Sequence, residues 1–363
     1  MKGCVADIGA ACRQVREGFG PDPKADPTEF IACWSEDEVL EGKKCRAFVL
    51  ILRTIGCKWG RVSGCTFCGY IADAAKEVKE EDLVKQFTSA LTRYHEEPVF
   101  KIYTSGSFID DEEVPPGFQE RVLNELSALK VRRVLFETLP RFATEQKVRW
   151  ALETFKGDRG IEFALGLESA TPEVLKNCVN KPGAVEDFKE ASEKIKALGG
   201  KVRIYIVIKP PFLTEKEALE DAVSSADVCK GWADTISFNP INVQRGTLVE
   251  RLNRRGEFQP PWLWTVMEVL RRTSGLGPRV ISAPTGGGTQ RGAHNCGHCD
   301  KRSLERIERF CSSGDPKDLD GQKCACQELW RDQLELEGLS HGPMWLDRRD
   351  TSTGRDGRKD RRY

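Results

Sequence analysis

A chain of 363 residues and 40.7 kDa is long enough for two ordinary domains or for one α/β barrel with an extension. With 39% apolar and 31% charged residues it can bury a sizeable core, which excludes wholesale disorder. Lys+Arg and Asp+Glu both number 56, which excludes a histone-like or supercharged protein but leaves room for a local basic face.

Residues 1–46, rich in Pro and Asp around PDPKADPTEF, read as an irregular N-terminal cap. Residues 47–52 (AFVLIL) form a continuous apolar run, the pattern of a strand buried on both faces. A cysteine-rich loop follows. Leu83, Phe87 and Leu91 then mark one face of a helix over 80–94. Further strands are predicted at 99–104, 131–137, 161–167, 201–208 and 235–238, with helices at 117–129, 144–155, 184–198 and 215–230. Six β/α units over 47–243 imply a parallel sheet, as a partial barrel or a doubly wound sheet, with chemistry at the carboxyl ends of the strands.

Beyond residue 243 the composition shifts. Residues 245–309 hold twelve Lys/Arg against six Asp/Glu, and 244–340 read as a basic, cysteine-rich region. Residues 341–363 read as a flexible tail. No run of 18 apolar residues exists, so no transmembrane helix is expected. The charge-interrupted N-terminus lacks the apolar stretch of a signal peptide, and a cytoplasmic protein without membrane contact is the expectation.

Fourteen cysteines in such a chain point to metal or cluster binding rather than disulfides. The first group, GCKWGRVSGCTFCGY over 56–70, places Cys57, Cys65 and Cys68 on a glycine-rich loop directly after the first apolar strand. Cubane clusters normally take four thiolates, so three closely spaced ones leave one iron open. Zinc sites usually close a tetrahedron with two ligand pairs, and this loop offers only one C-x2-C. A second group contains Cys296 and Cys299, then Cys324 and Cys326, with Cys311, His294 and His298 nearby. It suits zinc or an auxiliary iron–sulfur cluster. Cys4, Cys12, Cys33, Cys45, Cys178 and Cys229 read as packing residues.

The three-cysteine loop, with Phe67 before the last cysteine of a (β/α)6 pattern, resembles the radical S-adenosylmethionine superfamily, although its C-x7-C-x2-C spacing departs from the commoner C-x3-C-x2-C. The resemblance implies a partial (β/α)6 TIM-like barrel of that type with a small C-terminal Cys-rich, basic extension. It also implies a [4Fe-4S] cluster on Cys57, Cys65 and Cys68, with S-adenosyl-L-methionine chelated to the open iron and cleaved to a 5′-deoxyadenosyl radical. Cofactor contacts are then expected from Thr104, Ser105, Gly106 and Ser107 after the second strand, and from Glu137, Glu168, Lys209 and Asn239 at later strand ends.

Seven stretches narrow the resemblance: ILRTIGCKWGRVSGCTFCGY (51–70), YTSGSFID (103–110), LGLESA (165–170), IVIKPPFLTEKEALED (206–221), NPINVQRGTLVERL (239–252), PPWLW (260–264) and RGAHNCGHCD (291–300). Together they resemble the radical-subunit family of archaeosine synthases. That implies action on tRNA after an ArcS-like partner enzyme has joined lysine to 7-cyano-7-deazaguanine at position 15. The radical step then breaks the lysine-side C–N bond, the carbon skeleton leaving as an aldehyde, and an electron donor is needed. For RNA binding, Arg279, Arg291, Lys301 and Arg302 are the expected contacts, with Trp262 and Trp264 as stacking platforms. The competing expectation is a non-catalytic, zinc-stabilised tRNA-binding partner subunit in which both cysteine groups hold zinc.

Overall fold

Apolar runs alternating with helix-period segments wind into one sheet with helices along its outer face. A computed structural model describes residues 7–157 and 159–340; Cys4 and the expected tail over 341–363 lie outside them. The sheet has eight strands in the order β1 to β8. Strands β1 (Ala32–Leu40) and β2 (Lys43–Ile51) form an antiparallel hairpin. Each of β3 (Val99–Tyr103), β4 (Arg133–Thr138), β5 (Gly160–Glu168), β6 (Lys201–Ile208), β7 (Thr235–Pro240) and β8 (Arg279–Ser282) then adds in parallel.

The helices are α1 (Ile8–Arg16), α2 (Lys58–Val62) in the cysteine loop, α3 (Glu80–Leu91), α4 (Pro116–Ala128), α5 (Glu145–Thr154) and α6 (Pro172–Val174), which continues into a π-helical turn. They go on with α7 (Val185–Ala197), α8 (Glu215–Cys229), α9 (Leu248–Arg254) and α10 (Leu263–Thr273). Two more, α11 (Asp300–Ser313) and α12 (Cys326–Ser340), follow β8. Among the described residues no helix is long and apolar enough to cross a membrane.

The six expected β/α units correspond to the strands from β2 to β7, and β6 has the expected bounds. Residues 7–46, however, are not irregular: they contain α1 and β1. The β1 segment ACWSEDEVL is too charged to read as a strand. It becomes one because Glu41 and Gly42, with φ of 52° and 76°, make a two-residue turn that folds it onto β2. The four-residue β8 is too short to show a period.

Side chains alternate across each strand. The outward set (Phe48, Phe100, Phe136 and Phe163) packs beneath the helices, where it meets Phe87 and Phe118 of α3 and α4. The inward set includes Lys101, Tyr103, Glu137, Arg203, Ser237 and Asn239, and it lines one cavity of about 1130 Å³.

No backbone ladder joins β8 to β1. The gap is bridged by charge. Glu38 of β1, 5% exposed, pairs with Lys101 of β3 (2.6 Å), Arg203 of β6 (3.4 Å) and Arg279 of β8. Arg203 also pairs with Glu162 of β5 at 2.9 Å. Burial alone would raise the Glu38 pKa, but Arg203, Lys101 and Arg279 outweigh it and hold the carboxyl well below the ordinary range.

Removing this carboxylate leaves buried cations without a counter-charge. Glu38→Gln is expected to lower unfolding free energy by about 3–5 kcal/mol in urea titrations. The Glu38 pKa is depressed on folding, so its contribution is present above the ordinary carboxylate value of 4.5 and is lost as the pH falls below it. The difference between wild type and variant should therefore shrink in acid; a constant difference contradicts the network.

Candidate active site

The cysteine loop closes the end of the cavity at the carboxyl ends of the parallel strands. Cys57, Cys65 and Cys68 all line it; among the described residues no histidine does, and the only other cysteine lining it, Cys311, lies on α11.

The loop is held from several sides. The Arg16 guanidinium of α1 donates to the carbonyls of Gly60 (3.2 Å), Cys65 (3.2 Å) and Cys68 (2.6 Å). Gly64 has φ of 77°, and a Cβ there would lie 2.3 Å from that guanidinium. Thr66 donates from its backbone N–H to Val179 O (3.0 Å) and from its hydroxyl to Cys178 O (2.6 Å). Gly69 donates to Gln244 Oε1 at 2.6 Å.

Burial pushes the Cys68 thiol up to about 11 and raises Cys65 further still. Buried thiols that are costly to ionise become good ligands when a bound cation supplies the missing charge. Cys57, Cys65 and Cys68, half-buried and lining one cavity, are a donor set of the kind that holds an iron–sulfur cluster with one corner left to a non-protein ligand.

Next to the cysteines the β3–α4 turn packs tightly. A Cβ on Gly106 would sit 2.3 Å from Glu113 Oε2 and 3.2 Å from Cys57 Cα. Glu113 accepts the backbone N–H groups of Gly106 (3.1 Å) and Ser107 (2.8 Å) and the Thr54 hydroxyl (2.7 Å). Thr104, Ser105 and Gly106 line the cavity. Ser107 does not; it is fully buried, its hydroxyl 2.8 Å from that of Thr138.

Glu137, Glu168 and Asn239 reach the cavity from β4, β5 and β7. Glu168 lies at a register shift in β5 with φ of 70°, and its carboxylate meets Lys181 Nζ at 2.8 Å. Enclosure by the barrel wall, then the neighbouring Glu168 and Glu113 carboxylates, push Glu137 up to about 8. It therefore keeps its proton at neutral pH and can donate a hydrogen bond.

Lys209 is not brought to this site. Its ammonium pairs with the fully buried Glu215 at 2.6 Å, so it ties β6 to α8 and lines no part of the cavity. Lys181, Glu113 and Arg16 escaped sequence reasoning. Lys181-Pro182-Gly183 reads as a plain turn before α7 and follows the π-helical turn after α6, and nothing in the N-terminal segment signals that Arg16 reaches the loop.

The second cysteine group assembles as expected. The sulfurs of Cys296, Cys299, Cys324 and Cys326 lie within 4.8 Å of one another. Cys296 lies 3.8 Å from Cys299 and 3.6 Å from Cys324, and Cys299 lies 3.6 Å from Cys326. Four thiolates at about 2.3 Å from one tetrahedral ion stand about 3.8 Å apart. Cubane thiolates, each on a different iron, spread wider, so the spacing fits a single ion. Trp264 Nε1–H and Asn295 Nδ2–H donate to Cys326 and Cys299 sulfurs, both at 3.3 Å, as outer partners of a metal site do. His294 Nδ1 instead bonds Gly292 O at 2.8 Å, and Cys311 sulfur bonds the Ser282 backbone.

Three of the expected RNA contacts need correction. Trp264 is 4% exposed against the second cysteine group. Trp262 is half-buried, with its indole N–H on Gln333 at 2.7 Å. The Trp264 ring is closed to a stacking base, and the Trp262 ring packs in part against the core. Arg279 points into the barrel, where Glu38 and the carbonyls of Val39 and Cys311 hold it. Arg291, Lys301 and Arg302 remain exposed.

No family model matches the chain. It is 38% identical over 333 residues to archaeosine synthase subunit beta of Methanosarcina acetivorans, covering 90% of this chain and 95% of that protein. The chain belongs to the archaeosine synthase subunit beta family. Another subunit beta, from Thermococcus kodakarensis, is 33% identical over 307 residues, covering 82% of this chain and 94% of its own length. Among solved structures, Elp3 of Methanocaldococcus infernus with its N-terminus deleted aligns with a TM-score of 0.43 at 17% identity, over 62% of this chain and 57% of that one.

Two measurements check the site of this archaeosine synthase family member. Glu137 ordinarily titrates near 4.5 and here near 8, so the unfolded chain releases that proton first. Without cofactors, the melting-temperature advantage of Glu137→Gln should widen between about pH 5 and pH 8 and then level off. A gap independent of pH contradicts the shift. At the second cysteine group, metal analysis of protein purified without iron reconstitution should find one ion per chain, lost with Cys326→Ala. Iron and sulfide at that group contradict the single-ion geometry.

Proposed function

We propose that this chain is the radical S-adenosylmethionine subunit of an archaeosine synthase. It breaks the lysine-side C–N bond of lysine-adducted 7-cyano-7-deazaguanine at position 15 of tRNA, leaving archaeosine. The observation that carries the reading is the head of the cavity. Three thiols face a space bounded by Gly106, Glu137 and Glu168, with no histidine among the described lining residues. The kinship to archaeosine synthase beta subunits supports the product.

Cys57, Cys65 and Cys68 would hold a [4Fe-4S] cluster, which together with S-adenosyl-L-methionine would supply one-electron radical chemistry. The protein supplies position and shielding. Arg16 and Gln244 fix the loop that presents the thiols. The Thr104–Ser105–Gly106 turn offers backbone polar groups beside Cys57. Glu168, oriented by Lys181, presents a carboxylate, and protonated Glu137 a donor, to the cofactor's amino, carboxyl or ribose groups. The barrel strands wall the cavity, and one water must still reach it, because an aldehyde product takes its oxygen from water. Asn239 serves as a further polar contact.

Zinc is the ion proposed for Cys296, Cys299, Cys324 and Cys326, where it pins α11 and α12 to α10. Arg291, Lys301 and Arg302 are proposed as phosphate contacts. Lys301 and Arg302 lie in the first turn of α11, the helix whose Leu304 and Glu308 line the cavity, which supports that reading. An ArcS-like lysine-transferring enzyme would supply the substrate, and a reductant the electron.

Anaerobic reconstitution followed by incubation with lysine-adducted tRNA tests this. About four iron and four sulfide per chain, 5′-deoxyadenosine and archaeosine at nucleoside 15 by mass analysis are expected, and all are lost with Cys65→Ala. An unchanged adduct despite an intact cluster, reductant and partner overturns the substrate. Zinc in place of iron, with no 5′-deoxyadenosine, supports the non-catalytic tRNA-binding subunit instead.

A further inference from the structure

The cavity carries charge far from the cysteines as well. Trp34, Glu36 and Glu38 alternate onto one face of β1 and line the cavity wall beside the N-terminal ends of the parallel strands. Glu38, Lys101 and Arg203, each 5% exposed, are already paired within the wall. Glu36 and Arg279, at 35% and 28%, border the open space.

Both keep hydrogen-bonding capacity. Glu36 Oε1 accepts from Lys101 Nζ at 2.6 Å and Oε2 from Trp34 Nε1 at 2.8 Å, which leaves each oxygen one acceptor site. Arg279 has five N–H groups, of which Glu38, Val39 O and Cys311 O take three. The ion pairs Glu36–Lys101, Lys101–Glu38 and Glu38–Arg279 place this carboxylate and this guanidinium on one stretch of wall. The Trp34 indole, 41% exposed and anchored by Glu36, adds an apolar face.

The geometry points to a subsite for a zwitterionic α-amino-acid group, with the ammonium on Glu36, the carboxylate on Arg279 and the aliphatic chain along Trp34. This rests on the proposed function, with lysine taken as joined through its side-chain nitrogen so that both α charges stay free. Such charges enter a barrel interior only where partners replace water, and a half-engaged anion and cation on one wall provide them. The amino-acid end of the adduct would then lie toward the N-terminal ends of the strands, and its scissile C–N bond nearer the cysteines.

Equilibrium dialysis against the cluster- and cofactor-loaded protein tests this with three small amidines. They are Nε-acetimidoyl-L-lysine, the cadaverine analogue without the carboxylate, and the 6-aminohexanoate analogue without the α-amino group. Affinity should fall about tenfold or more when either group is missing, as expected for loss of one charge-assisted pair. Glu36→Gln should abolish the preference for the α-amino group while retaining that for the carboxylate. Equal binding of all three, or no binding of the lysine amidine, overturns the subsite whatever the variant does. Turnover of lysine-adducted tRNA, measured alongside, judges the reaction separately: turnover without discrimination rejects the subsite alone, and discrimination without turnover rejects the reaction alone.

Discussion

An eight-stranded sheet with no ladder between its first and last strands needs some other force to keep it curled. Here the buried carboxylate of Glu38, facing cations from β3, β6 and β8 at once, is one such tie across the opening. Hydrophobic burial covers the outer face of the sheet but does not specify how far apart its edges lie. Opposite charges in a low-dielectric interior do, because each depends on the others for its solvation. The curl makes the inward side chains converge on one space, and the cavity follows from that.

The two ends of the cavity differ in kind. At the strand carboxyl ends, half-buried thiols, a Glu137 carboxyl whose pKa is raised and the Glu168–Lys181 pair surround a glycine-rich turn, a setting suited to an inorganic cluster and a polar cofactor. At the other end, paired charges with two half-engaged members suit a charged organic group. The second cysteine group stands outside this space. There it clamps the last helices, with Trp264 and Asn295 buttressing its sulfurs.

Much of this was legible in the sequence where chemistry follows from residue type and spacing. The strands from β2 to β7, the three-cysteine loop and the paired C-x2-C and C-x-C groups are of that kind. What spacing cannot give is direction. Lys209 follows a strand as a cofactor contact would, yet turns to Glu215; Arg279 is basic within a basic segment, yet faces inward to Glu38. Trp264 sits in that same segment, yet packs on a thiol. β1 was hidden because its charged residues serve the barrel interior instead of solvent, which inverts the pattern by which strands are recognised. Arg16, far from the loop in sequence, is fixed there only by the tertiary fold.

The proposed chemistry requires Cys57, Cys65 and Cys68 to hold a cluster with one iron open to the cofactor. Electron paramagnetic resonance of the reduced, reconstituted protein tests this most directly, recorded before and after addition of S-adenosyl-L-methionine. A [4Fe-4S]⁺ signal whose g values shift on addition is predicted, because the cofactor binds an iron that no side chain occupies. A signal unchanged by saturating cofactor would contradict the open corner and the chemistry assigned to the cavity.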